Sequence, residues 1–101
     1  MTNKIYEIDL KSTAIDDLKR LDKHLSGIIV EKIEKHLAVE PQLVGKPLKG
    51  DLKGYWKYRI KGDYRVGYKI SKDETLIIIL IVGHRKEVYE RFKKLVLKLK
   101  S

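Results

Sequence analysis

No cysteine occurs among the 101 residues of this chain, which excludes disulfides and thiolate metal sites and fits a reducing compartment. There are only two prolines, Pro41 and Pro47, and they share one stretch with Gly45 and Gly50, so the strongest chain breakers are gathered in a single place. Long apolar runs are absent. The longest, Leu76 to Val82, falls far short of the ~20 residues that a membrane span needs. Met1 to Tyr6 holds no continuous apolar segment of the signal-peptide kind. A soluble, cytoplasmic protein with no membrane partner is therefore expected. Two of the three histidines, His24 and His36, have no ligand-type neighbour at metal-binding spacing, so both are expected at the surface or at the edge of an apolar stripe, and neither metal nor cofactor is expected.

Acidic residues are also in short supply. Lys and Arg number 23 against 14 Asp and Glu, a formal charge of +9. A field of that sign draws polyanions: nucleic acid, an acidic protein or an anionic surface. The excess is uneven. Between Pro41 and Tyr89 lie Lys46, Lys49, Lys53, Lys57, Arg59, Lys61, Arg65, Lys69, Lys72, Arg85 and Lys86, against Asp51, Asp63, Asp73, Glu74 and Glu87.

The hydrophobic fraction of 43% and the length suit one small globular domain spanning residues 1–101. Alternation over Lys4 to Leu10 predicts a first strand. Ser12 or Thr13 offers an N-cap, with Asp16 and Asp17 in the first turn, and Ala14, Ile15, Leu18 and Leu21 follow helical spacing to about Lys23. After a break at Ser26-Gly27, Ile29, Ile33, His36 and Leu37 predict a second helix that ends before Pro41. Pro41 to Lys53 reads as a loop. Tyr55 to Ile60, Tyr64 to Ile70 and Thr75 to Val82 read as three strands, joined by turns at Lys61-Gly62-Asp63 and Ser71 to Glu74. Lys86 to Lys100 reads as a final helix striped by Val88, Phe92, Leu95, Val96 and Leu99. The order β-α-α-β-β-β-α predicts an α+β fold: a small antiparallel sheet, the first strand beside a three-stranded meander, packed on two N-terminal helices, with a C-terminal helix.

Period two divides the hairpin. Trp56, Tyr58, Ile60, Tyr64, Val66, Tyr68 and Ile70 fall on one face; Tyr55, Lys57, Arg59, Arg65, Gly67 and Lys69 fall on the other. With the apolar set against the helices, Lys57, Arg59, Arg65 and Lys69 converge on the opposite face, where Gly67 leaves a shallow place for a large ligand. Ile79, Ile81, Gly83 and Arg85 share a side if the strand continues, which brings Arg85 out near Arg65.

Taken in order, Lys46-Pro47-Leu48-Lys49-Gly50, Tyr58-Arg59-Ile60, Gly62-Asp63-Tyr64-Arg65-Val66 and Val82-Gly83-His84-Arg85 with Val88-Tyr89 resemble the RelE/ParE superfamily of bacterial and archaeal type II toxins. The resemblance covers nearly the whole chain. It implies, for the RelE branch, a ribosome-dependent mRNA endoribonuclease that acts without metal: the ribose 2′-OH attacks the adjacent phosphate. Carried over by position, the family's catalytic set falls on Lys57, Arg59, Arg65, Arg85 and Tyr89. Beside that set, Lys49, Lys53, Lys61, Lys69 and Lys86 are expected to contact RNA, and Tyr55, on the basic face, to stack on a base or to stand as a plain exposed aromatic. The implied partners are the ribosome, mRNA and a cognate antitoxin with an acidic or amphipathic segment, the last in a toxin–antitoxin hetero-oligomer.

Chemistry supports the same residues. Guanidinium forks match phosphate oxygens and stabilise the charge that develops on them, which favours Arg65 and Arg85. Tyr89 is a proton acceptor if neighbouring cations favour its phenolate. His84 has the better intrinsic pKa, but an extended backbone turns it away from Arg85, and fixing the turn by a hydrogen bond is its alternative role. Structural readings stand beside these: Arg65 paired with Asp63 or Glu87, Lys57 and Arg59 as a solvated strand face, Tyr89 as helix packing. Two further functions also stay open, a ParE-like inhibitor of DNA gyrase and an inactive basic RNA- or protein-binding member of the same fold.

Overall fold

The computed structural model of the chain describes residues 5–100. Its elements run β1 (Glu7–Leu10), α1 (Ser12–Arg20), α2 (Lys23–Lys32), a π turn (Ile33–Leu37), α3 (Pro41–Val44), β2 (Lys46–Pro47), a 3-10 turn (Gly50–Leu52), β3 (Trp56–Ile60), β4 (Tyr64–Ile70), β5 (Leu76–His84) and α4 (Val88–Lys100). The five strands form one sheet in the order β1-β5-β4-β3-β2. β3, β4 and β5 make the expected antiparallel meander. β1 instead runs parallel to β5, Glu7 beside Leu76 and Leu10 beside Ile79, so the sheet is mixed. The helical crossover between β1 and the meander permits this direction, which a short hairpin could not.

One face of the sheet is closed by the N-terminal helices. Ala14, Ile29, Ile33 and Leu37 pack on Tyr58, Ile60, Val66, Tyr68, Ile77, Ile79 and Val82. The Trp56 and Tyr68 rings stack with centroids 6.2 Å apart. The Tyr68 hydroxyl donates to the Pro41 carbonyl at 2.6 Å, which satisfies a phenol buried in this core. Gly45 leaves the room for it, since a Cβ there would overlap the Tyr68 oxygen.

The opposite face carries α4. Val88, Phe92 and Val96 bury against Leu52, Tyr55, Leu80 and Ile81. Gly67 does not make a shallow ligand seat. It receives Phe92, whose Cε2 would lie 2.5 Å from a Cβ at this position. Tyr55 is likewise not an exposed stacking platform. It is 8% exposed, and its ring meets Phe92 edge-on at 5.6 Å. The alternation that put both residues on the basic face was sound, but α4 covers that part of it.

A register shift opposite Gly67 and Tyr68 leaves Leu80 unpaired between Ile79 and Ile81. The extra residue reverses the phase of β5. Ile79 therefore faces the N-terminal helices while Ile81 packs under α4, on different sides rather than the shared side that strict period two predicts.

Several boundaries differ from expectation. The first break falls at Leu21-Asp22, where the Asp22 carboxylate accepts the Leu25 N–H, and Gly27 sits inside α2. The N-cap of α1 is Lys11, without a side-chain bond. Asp17 is not a first-turn surface anion but is buried, whereas Ile15 is exposed. Leu99, placed on the apolar stripe of the last helix, is also exposed, while His36 is exposed as expected. The expected loop from Pro41 holds a short helix, an edge strand and a 3-10 turn, each too brief for periodicity to reveal. Lys4, the expected start of the first strand, lies outside the described residues.

Candidate functional site

The face beneath α4 is only half covered. Beyond Gly67, on β3 and the edge strand β2, the outward positions are Lys57, Arg59 and Lys46. Register brings them together: Lys46 lies opposite Lys57, and Arg59 opposite Arg65. With Val44 these four cations line a cleft of about 120 Å³, and no carboxylate is part of its wall. α4 adds Tyr89, whose ring centroid is 5.6 Å from Lys57 Nζ. Lys57, Arg59 and Arg65 are thus neighbours, and Tyr89 sits beside Lys57. Lys46, counted in the charge excess and in the family resemblance but not among the expected site residues, joins them because β2 pairs with β3.

Arg65 does not pair with Asp63 or Glu87. Its Nη1 donates to the Gly62 and Tyr64 carbonyls, at 2.7 and 3.0 Å, which leans the guanidinium on the β3–β4 turn. Arg85 reaches the same turn from β5: its N–H donates to the Asp63 carbonyl at 2.7 Å, and its Nε is 3.6 Å from the Asp63 carboxylate. Both members of that ion pair are about half exposed, so a competing anion can displace the carboxylate at little cost. Arg85 is not part of the cleft wall.

His84 lies on the other side of β5, edge-on to Tyr64 at 5.7 Å. Its Nδ1 accepts the Lys86 N–H at 3.2 Å, the turn-fixing role weighed for it. Lys69 is away from the cleft, its Nζ 5.7 Å from the Tyr55 ring in a groove beside the C-terminal half of α4. Lys49 and Lys53 flank the 3-10 turn, Lys61 occupies the β3–β4 turn at a φ of 51°, and Lys86 precedes α4. All four are exposed. Among the described residues no three His, Cys, Asp or Glu side chains gather as metal ligands, and no helix is long and apolar enough to cross a membrane.

A profile of the ParE toxins of type II toxin–antitoxin systems (parDE) matches residues 8–89, which includes every strand but the first residue of β1. The chain belongs to the RelE/ParE superfamily of type II toxins. Its relatives include Toxin RelG of Mycobacterium tuberculosis, 37% identical over 85% of this chain and 98% of that protein. Among solved structures, the toxin–antitoxin complex RelBE2 of M. tuberculosis holds a chain similar at a TM-score of 0.75 with 37% identity, covering 80% of this chain and 99% of its own. The RelB–RelE antitoxin–toxin complex of Methanococcus jannaschii follows the same fold at a TM-score of 0.60 and 29% identity, over 83% and 98% of the two chains. In this toxin the helix that closes the second core also brings Tyr89 beside Lys57 of the basic cleft.

Proposed function

We propose that this toxin is a ribosome-dependent mRNA endoribonuclease whose reaction centre is the cleft between β2, β3 and β4. The observation that carries the reading is the acid-free convergence of Lys46, Lys57, Arg59 and Arg65, with Tyr89 beside Lys57. Fixed cations around a small cleft suit a phosphodiester, whose charge grows on the non-bridging oxygens as the reaction proceeds. In this reading Tyr89 takes the 2′-OH proton, the 2′-oxygen bonds to phosphorus, and the P–O5′ bond breaks. Arg59 and Arg65 hold the phosphate oxygens. Arg85, freed from Asp63, stabilises the departing O5′, which is protonated by solvent. A 2′,3′-cyclic phosphate and a 5′-hydroxyl result. The ribosome's part is to deliver one strand of mRNA, bent so that the 2′-oxygen, phosphorus and O5′ stand in line.

The partner of the resting state in this reading is a cognate antitoxin in a hetero-oligomer. Relatives solved as toxin–antitoxin complexes support it, and a charge of +9 suits an acidic segment. The match to the ParE profile favours a second reading, inhibition of DNA gyrase without chemistry on RNA.

The test is a translation reaction programmed with a defined mRNA and read by primer extension, with wild type beside Arg59→Ala and Arg65→Ala. Both variants are checked by thermal melting, because Arg65 also braces a turn. Expected are new 5′ ends only when ribosomes are present, and a fall in cleavage on the order of 10²–10³-fold in each variant. Intact mRNA with folded wild-type protein, together with loss of gyrase supercoiling, would decide for the second reading.

A further inference from the structure

Asp17 is the one buried charged side chain among the described residues, 5% exposed. A carboxylate is held in such a place only when its oxygens are satisfied. One oxygen accepts the Val82 N–H of β5 at 3.0 Å, and the other accepts Arg91 Nη2 of α4 at 2.5 Å. Arg20, on the same helix as Asp17, adds a looser contact at 3.8 Å. A single side chain of α1 thus ties β5, beyond the end of its pairing with β1, to α4. Arg91 also lies across Gly83, where a Cβ would come within 3.2 Å of Nη1.

The place of Arg91 on α4 gives this tie a second meaning. Val88, Phe92 and Val96 face the sheet. At about 100° per residue, Arg91 and Tyr89 fall on opposite flanks of that stripe. One flank is held to α1 through Asp17, and the other carries Tyr89 over Lys57. We infer that Asp17, acting through Arg91, is a positioning residue that sets the roll of α4 and so holds Tyr89 at the cleft. Phe92 in the Gly67 slot fixes where the helix lies along the sheet, and a bond on one flank is what resists rotation about its axis. The role rests on the endoribonuclease reading only where it concerns the reaction; the tie itself belongs to the free protein.

The experiment compares wild type, Asp17→Asn, Tyr89→Phe and the double variant. Asparagine retains an oxygen for the Val82 N–H and loses the charge that holds Arg91, so the variant is expected to fold. Single-turnover cleavage is measured over a range of programmed-ribosome concentrations. Asp17→Asn is expected to lower the saturating rate on the order of 10- to 100-fold with the half-saturating concentration little changed. In the Tyr89→Phe background it is expected to add almost nothing. A full loss in that background, or a change confined to half-saturation, would overturn the inference. Amide exchange on the free proteins gives the second arm: Asp17→Asn should speed exchange in α4 and leave β3 and β4 as they were. Unchanged α4, or an equal rise throughout, overturns the tie whatever the reaction. Failure of the wild type to cut mRNA, with exchange as expected, overturns the endoribonuclease reading while leaving the tie in place.

Discussion

The face of the sheet under α1 and α2 is apolar from β1 to β3, and its one recurrent polar group, the tyrosine hydroxyl, is led to a partner as at Tyr68. The face under α4 begins the same way, with Ile78, Leu80 and Ile81, then turns cationic at Lys57, Arg59 and Arg65. α4 begins beside the charges, its first turn carrying Tyr89 to Lys57, and covers only the apolar part. Burying three unpaired cations would cost far more than the apolar contacts of another turn return, so composition itself decides how much of the face can be closed. The uncovered remainder is the cleft. Stability and the candidate chemistry thus share one side of one sheet, and α4 serves both.

The largest effects should come from breaking each core in turn. Leu37→Ala opens the first face and is expected to cost about 2–5 kcal/mol; Phe92→Ala opens the second and is expected to cost about 3–5 kcal/mol. Both residues are essentially inaccessible. Chemical denaturation measures the loss. What separates the faces is the activity of the molecules that remain folded. Leu37→Ala should retain the wild-type cleavage rate per folded molecule, whereas Phe92→Ala, which unseats Tyr89, should lose at least about tenfold. Equal retention in both would mean that α4 carries no part of the site.

A smaller effect sharpens the first face alone. Burial pushes the Tyr68 phenol well above the ordinary tyrosine range, with the adjacent Tyr58 adding to the shift, and burial raises Tyr58 as well. A folded-state pKa above the unfolded one means stability that is complete below about pH 10 and is lost as pH rises beyond it, because only the unfolded chain ionises freely. Denaturant midpoints should hold up to pH 9 and then fall, by at most about 1.4 kcal/mol per pH unit for each phenol. Tyr68→Phe should flatten that fall, although it also forfeits the bond to Pro41. A decline of unchanged slope in the variant would assign the effect elsewhere.

How much of this was legible beforehand follows from the range of each signal. Alternation in Tyr64–Ile70 and the aliphatic run from Leu76 to Val82 are local; the first strand is where the pattern put it, and the second runs two residues past its expected end at Val82. The convergence of Lys57, Arg59 and Arg65 needed only period two and a hairpin. Three things were hidden because they depend on distant pairing. Tyr55 and Gly67 carry the right parity for the basic face, but nothing local tells that Phe92 will cover them. The phase slip at Leu80 leaves no mark in a run of aliphatic residues. Asp17 resembles any first-turn anion until β5 and α4 arrive to enclose it. A signal for Asp17 did exist: it falls three residues after Ala14 and one before Leu18, on the side of the helix that turns inward.

The smallest expected effect falls on Lys46, and it probes the outer limit of the open face. β2 is only two residues long, and Pro47 leaves it with no N–H at that position to offer a further strand. What the strand contributes to the cleft is the Lys46 ammonium opposite Lys57. Placed one strand outside the Arg59–Arg65 pair, it suits a phosphate flanking the scissile one, where it would strengthen binding without touching the reacting atoms. Lys46→Ala should then leave the saturating cleavage rate near that of wild type. Its binding to a single-stranded RNA oligonucleotide should weaken, and the slope of log K against log salt should become shallower by about 0.7, the value for one phosphate contact on a single strand. Arg65→Ala, by contrast, should depress the rate itself. A rate loss in Lys46→Ala as large as that in Arg65→Ala would move the scissile phosphate outward to the sheet edge, and an unchanged salt slope would place the RNA path elsewhere, leaving the edge strand as a prop for β3.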